Sequence, residues 1–185
     1  MKVVYNTATT INGFLATPDD SLDWLFAIPG DTPDLTPFMD DVTVLVVGRT
    51  TYDWVLRHEN LLAEPAKWQA YFGDRPTFVF SSRPLDVPRG ADVRRLSGPV
   101  TEALPQIVDA AGAGVVWVQG GGDLAGQFLD ADALDQIVLS VAPVTLASGR
   151  PLLPRDLTWD RLRLREASKV GDFAYLTYDV SRHQP

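Results

Sequence analysis

The chain has 185 residues, 45% of them hydrophobic and 22% charged, a globular composition that excludes the low-hydrophobicity signature of disorder. A formal net charge of −8 and a pI near 4.6 leave no basic footprint for a nucleic-acid partner or an anionic membrane surface. The lack of cysteine removes disulfides, thiolate metal sites, iron–sulfur clusters and cysteine nucleophiles together. The length suits one domain over residues 1–185. Met1 to Thr7 enters a strand-like pattern without a signal-peptide layout, and no apolar run has the length of a membrane span. A soluble cytoplasmic protein is expected.

Residues 2–9 read as a first strand, and 42–48 as a continuous β-branched run of the kind covered on both faces. Between them a loop-rich stretch holds Pro18, Pro29, Gly30, Pro33 and Pro37, with a short helix expected around 34–40, introduced by Thr32 or Thr36. After Gly48-Arg49, Thr50 is expected to cap a helix through Tyr52, Trp54, Val55 and Leu56, with Asp53 in its first turn. Strand 76–81 and a short strand near Val93 follow. Leu104, Ile107, Val108 and Ala111 mark one face of a helix that Thr101 would cap, with Pro105 tolerated in the first turn. Alternation of strands and helices implies mostly parallel pairing. From Pro143 the pattern changes: a Pro/Gly loop leads to segments 161–169 and 172–180, joined at Gly171-Asp172 as an antiparallel hairpin.

At the centre, Val115-Val116-Trp117-Val118-Gln119 runs into Gly120-Gly121-Gly122-Asp123-Leu124, a strand, three glycines and a helix through 130. Glycines admit a ligand to the backbone, and a helix start offers unpaired N–H groups and a positive dipole end, so the junction can hold a phosphate. Three glycines also simply make a tight turn, and the junction alone leaves both readings open. Gly48-Arg49-Thr50-Thr51-Tyr52 and Ser81-Ser82-Arg83 occupy equivalent strand ends. Ligands of open α/β sheets settle outside such ends. Together the three segments offer two helix N-termini, several hydroxyls, and Arg49 and Arg83 for phosphate contact. Neither the G-x-G-x-x-G spacing nor the P-loop pattern is present, so a dinucleotide fold of another type is required.

Thr10-Ile11-Asn12-Gly13-Phe14-Leu15-Ala16, Asp23-Trp24-Leu25, Gly48-Arg49-Thr50-Thr51-Tyr52, 116–129, and Val141 to Val144 with Gly149-Arg150-Pro151-Leu152-Leu153 stand in the order found in dihydrofolate reductase-like proteins. The chain most resembles the branch containing the C-terminal reductase domain of bacterial riboflavin biosynthesis. The resemblance implies an α/β, three-layer dihydrofolate reductase-like fold with a mostly parallel central sheet and an antiparallel C-terminal hairpin. It also implies an NADPH-dependent reductase whose expected partners are a small-molecule substrate and a second copy in a homodimer, with no nucleic acid, no membrane and no metal. Ala8 and Leu15 would approach the nicotinamide, and Gly48, Arg49, Thr50 and Thr51 the phosphates. Ser81, Ser82 and Arg83 would lie near the adenosine, and Gly120, Gly121, Gly122, Asp123 and Leu124 along the pyrophosphate. Asn12, Trp24 and Asp34 are the substrate-binding candidates. The implied substrate is a ribosylamino-pyrimidine phosphate or another imine or carbonyl compound. The alternatives are a dihydrofolate-type reductase and a non-catalytic nucleotide-binding homodimer of the same fold.

Departures from the family pattern bear on catalysis. Many relatives have Ser-x-Asp-Gly where this chain has Thr10-Ile11-Asn12-Gly13, and an asparagine cannot act as a carboxylic general acid. No catalytic residue is assigned. Folate-reducing relatives place a tyrosine where Ala125 stands and an acidic residue on the helix after the first loop, for which Asp34 is the nearest candidate or, alternatively, a helix-capping residue. His58 and His183 have no metal-like spacing and read as surface residues. Trp24, Trp54, Trp68, Trp117 and Trp159 read as core or interface anchors.

Overall fold

The computed structural model describes residues 1–182. In chain order the elements are β1 (Lys2–Thr10), β2 (Phe14–Ala16), α1 (Asp23–Phe26), α2 (Thr36–Asp41), β3 (Val42–Gly48), α3 (Arg49–His58), α4 (Ala66–Phe72), β4 (Thr77–Phe80) and β5 (Val93–Leu96). Then come α5 (Val100–Ala111), β6 (Val115–Gly120), α6 (Gly122–Asp130), β7 (Gln136–Ala142), β8 (Arg150–Pro151), β9 (Leu162–Val170) and β10 (Phe173–Val180).

Among the described residues, eight strands form one sheet in the order β5-β4-β3-β6-β1-β7-β10-β9, and β2 pairs with β8 separately. Neighbours from β5 to β7 are parallel, whereas β10 runs antiparallel to both β7 and β9. The hairpin reverses at Gly171, whose φ of +54° suits glycine, and a Cβ there would overlap the carbonyl of Asp31. The mostly parallel sheet with an antiparallel C-terminal hairpin is therefore the α/β arrangement expected from the sequence.

The β-branched run of β3 is buried from both sides because its side chains alternate between two layers. Val44 and Val46 join Val3, Tyr5, Val116 and Val118 beneath α5 and α6, where Ile107 and Phe128 are fully buried. Leu45 and Val47 face the opposite layer, where α3 and α4 bring Tyr52, Leu56 and Trp68, and α2 brings Phe38 and Met39 beside Trp117. Full burial of one such aliphatic or aromatic side chain contributes about 1.5–3 kcal/mol.

Several local expectations are corrected. Helix α3 begins at Arg49 with extended Gly48 as its N-cap, so Thr50 lies inside the helix and caps nothing. Asp53 serves instead as the partner of Arg49 across one helical turn. Helix α5 is preceded by extended Pro99, which places Thr101 within it. Its buried face is Val100, Ala103, Ile107 and Ala111, leaving Val108 40% exposed. Leu104, beside this stripe, is half-buried and packs against the same core. Helix α2 begins at Thr36 with Leu35 as its N-cap, and the Thr36 N–H donates to Asp34 Oδ1 ahead of it. The short elements β2, β8, α1 and α4 have no clear period in the sequence. Trp68 and Trp117 are core residues, but Trp159 is 88% exposed and is not. His183 lies outside the described residues.

Candidate functional site

Strands β3 and β6 are hydrogen-bonded neighbours, yet their helices leave in opposite directions. Helix α3 packs Tyr52 and Leu56 on one layer, while α6 packs Leu124 and Phe128 on the other. The chain thus diverges at a topological switch point, where a crevice must open beyond the strand ends. A cleft of about 520 Å3 lies there, and the starts of both helices line it. Each start leaves N–H groups without intrahelical partners and a partial positive charge, which favours an anion.

The three glycines of the β6–α6 turn have different physical roles. Gly120 has φ +142°, a conformation that disfavours L side chains, and the Gly120–Gly121 peptide is cis. A Cβ on Gly121 would meet nothing within 4 Å, so this residue borders open cleft. A Cβ on Gly122 would overlap the carbonyl oxygens of Pro151 and Leu152, so its lack of a side chain permits backbone packing. Gly48 closes the other side, its ideal Cβ position being 3.5 Å from both Gly120 O and Gly121 N. The Leu152 carbonyl accepts the Tyr5 hydroxyl at 2.9 Å, and burial pushes the Tyr5 pKa well above the ordinary tyrosine range.

The opposite wall comes from the segment after β1. Leu15, Ala16, Asp20 and Leu22 line it, and Arg150 of β8 ties it down through Nε at 2.6 Å and Nη2 at 3.2 Å from the Asp20 carboxylate. Trp54, one turn into α3, completes the wall beside an aromatic group. Its ring lies 4.4 Å from that of His58 and 6.0 Å from that of Phe26, all nearly parallel. Asp123, at the start of α6, accepts Gln127 Nε2 at 3.0 Å and Arg155 Nη2 at 3.1 Å. The Gln127 bond, followed by Arg155, holds its carboxyl below the ordinary aspartate range.

Of the residues singled out from the sequence, Leu15, Gly48 to Thr51 and Gly120 to Leu124 line this one cleft. Ala8 follows the cleft-lining Thr7 on β1 and is itself outside the lining. Ser81 is buried and turns the chain after β4, its Oγ donating to Arg83 O at 2.8 Å and accepting Arg83 N–H at 3.1 Å. Ser82 and Arg83 are exposed and stand outside the lining. Asn12 is also outside it, and its amide joins two loops: Nδ2 donates to Leu146 O at 2.7 Å and Oδ1 accepts Leu146 N–H at 3.2 Å. Trp24 is half-buried and does not line the cleft. Asp34 is exposed, and its Oδ1 accepts the Thr36 N–H at 2.8 Å, which lowers its pKa.

Sequence reasoning did not single out Thr7, Asp20, Trp54 or Arg150 as wall residues. The Gly149-Arg150-Pro151 motif was the available signal for the last of these. The Asp20 partnership spans 130 positions and has no local signature.

The fold has counterparts of known structure. A protein described as a “putative riboflavin biosynthesis protein” from Shewanella sp. PV-4 is similar at 27% identity and a TM-score of 0.76, over 98% of this chain and 100% of that one. Dihydrofolate reductase from Enterococcus faecalis, solved with NADP(H), shares the fold at 18% identity and a TM-score of 0.58, covering 97% of this chain and 96% of that one. In sequence, the uncharacterized protein YwjB of Bacillus subtilis (strain 168) is 28% identical over 178 residues, 96% of this chain and 97% of YwjB. The family model of the RibD C-terminal domain matches residues 1–174, and the chain belongs to that family.

Proposed function

We propose that the chain is an NADPH-dependent reductase that passes hydride to a small polar acceptor with a reducible imine or carbonyl carbon. The observation that carries this reading is the meeting of two helix N-termini at one switch point, over a glycine turn with open space at Gly121. Membership in the RibD C-terminal domain family and the shared fold with a reductase solved with NADP(H) support it.

The residues present fit a pyrophosphate. Gly120 to Leu124 and Gly48 to Thr51 would hold it through backbone N–H groups and hydroxyls, with Arg49 on a terminal phosphate. Ala8 and Leu15 belong to the nicotinamide end, and Ser81 to Arg83 to the adenosine end. NADPH held there would supply a hydride, two electrons with one proton, for the acceptor carbon, and the acceptor's heteroatom would take its proton from water. The protein's contribution is to position the two reactants and to exclude bulk water with the wall that Asp20 and Arg150 brace. Asn12 is no carboxylic acid, which is why the proton is assigned to water.

The family resemblance offers a ribosylamino-pyrimidine phosphate as one acceptor, and a homodimer in the cytoplasm as the working state. Sedimentation tests the latter. Titration with NADPH and NADH, followed by protein fluorescence, tests the cofactor. A saturable NADPH response is expected, and no response to either nucleotide would overturn the reading. Loss of NADPH absorbance on adding imine or carbonyl acceptors then tests the reaction.

A further inference from the structure

If Arg49 serves the cofactor, the charges left in the cleft restrict what can sit beside it. Among the described residues lining the cleft, the cations are Arg49 and Arg150. Arg150 is already matched, with two nitrogens on the two oxygens of Asp20. The surrounding chain adds no replacement. Between Lys2 and Arg49 there is no lysine or arginine, and the stretch from Asp19 through Asp41 holds seven aspartates. Asp20 itself lines the cleft, and its wall belongs to this segment. A phosphate ester brought against that wall would lose hydration and find no unmatched cation.

The same wall is aromatic where it is not acidic. His58 and Phe26 hold the Trp54 ring in place with interplanar angles of 15° and 2°. A preset indole offers a flat, apolar surface at little entropic cost, and its negative ring face tolerates positive charge but not negative.

Resting on the reductase reading, we propose that the cleft takes a flat acceptor without a phosphate group, neutral or positively charged, with Trp54 as its aromatic wall. Asp20 is a specificity-determining residue, because its carboxylate occupies the Arg150 guanidinium that a phosphate would otherwise use. The preference is opposite to that needed for a sugar-phosphate acceptor.

The test uses three matched pairs: uridine, cytidine and riboflavin, each against its 5′-monophosphate. Binding is followed through ligand-observed NMR with the cofactor-free protein and again with saturating NADPH. At least one unphosphorylated compound is expected to bind the NADPH-saturated protein ten-fold or more tightly than its phosphate, whereas in the cofactor-free protein the empty phosphate cradle of the two helix starts narrows or reverses that ratio. Asp20→Asn, which frees Arg150, is expected to narrow that ratio to three-fold or less, and Trp54→Ala to weaken both members of the pair together. Equal or tighter binding of the phosphates by the NADPH-saturated wild-type protein overturns the proposal, as does an absence of binding by all three unphosphorylated compounds. Failure of NADPH to bind, with the phosphate discrimination intact, would overturn the reductase reading and leave the specificity of the cleft standing.

Discussion

Arg49 and Asp53 lie one helical turn apart on α3, with Nε 2.5 Å from Oδ2, while Nη1 of the same guanidinium donates to Pro84 O at 2.7 Å. The pair holds the arginine at the mouth of the cleft, between the helix start and the loop after β4. A charge-assisted hydrogen bond to a phosphate contributes about 1.5–3 kcal/mol. Arg49→Ala is therefore expected to weaken NADPH about ten-fold or more and NADH much less, measured by fluorescence titration with each. Equal losses for the two nucleotides would assign Arg49 to the scaffold alone.

Gly121 and Gly122 are adjacent in sequence and opposite in surroundings. Gly121→Val projects into open cleft and is expected to abolish NADPH binding with the urea unfolding midpoint unchanged. Gly122→Ala presses on the Pro151 and Leu152 carbonyls and is expected to destabilise the fold by about 1–3 kcal/mol. Retained affinity in the first variant would move the cofactor away from the glycine turn.

Tyr5 and Tyr52 are both held protonated, chiefly by burial, with their pKa values raised well above the ordinary range. A raised folded-state pKa means that the unfolded chain releases these protons first. Their contribution is complete below the ordinary tyrosine pKa of about 10 and declines as pH rises beyond it. Tyr5→Phe is expected to reduce this alkaline loss, and at neutral pH to cost about 1–2 kcal/mol because Leu152 O loses its donor. Urea unfolding at neutral and alkaline pH measures both effects; an unaltered alkaline slope would exclude Tyr5 as its source.

Asn6 is 3% exposed on β1, and its Nδ2 has no hydrogen-bond partner. Its backbone carbonyl accepts Trp117 Nε1 at 2.9 Å, a bond that survives a change of side chain. Asn6→Val removes an unsatisfied buried amide and places a β-branched residue in a strand. Stability is expected to rise by about 1–3 kcal/mol, read from the urea midpoint, and a fall would contradict the unpaired state of the amide.

Much of the architecture was legible because period and composition are local properties. The run Val42–Gly48 announced a doubly covered strand, and the hairpin at Gly171-Asp172 announced an antiparallel ending. The helix starts were less legible, since Gly48 and Pro99 end extended segments without the hydroxyl caps that mark helices in sequence. The buried face of α5 includes Val100 and Ala103 and leaves Val108 out, because the position of the sheet beneath the helix selects the face.

The sequence by itself determined the alternation of strands and helices and the glycine turn that ends β6, because backbone freedom and hydrophobic period are written residue by residue. Only the tertiary structure decided that Gly48 and Gly120 would meet, that Asp20 would neutralise Arg150 across 130 positions, and that Ser82 and Arg83 would stand outside the cleft. Strand order and loop closure set those distances, and neither is encoded in any short stretch of chain.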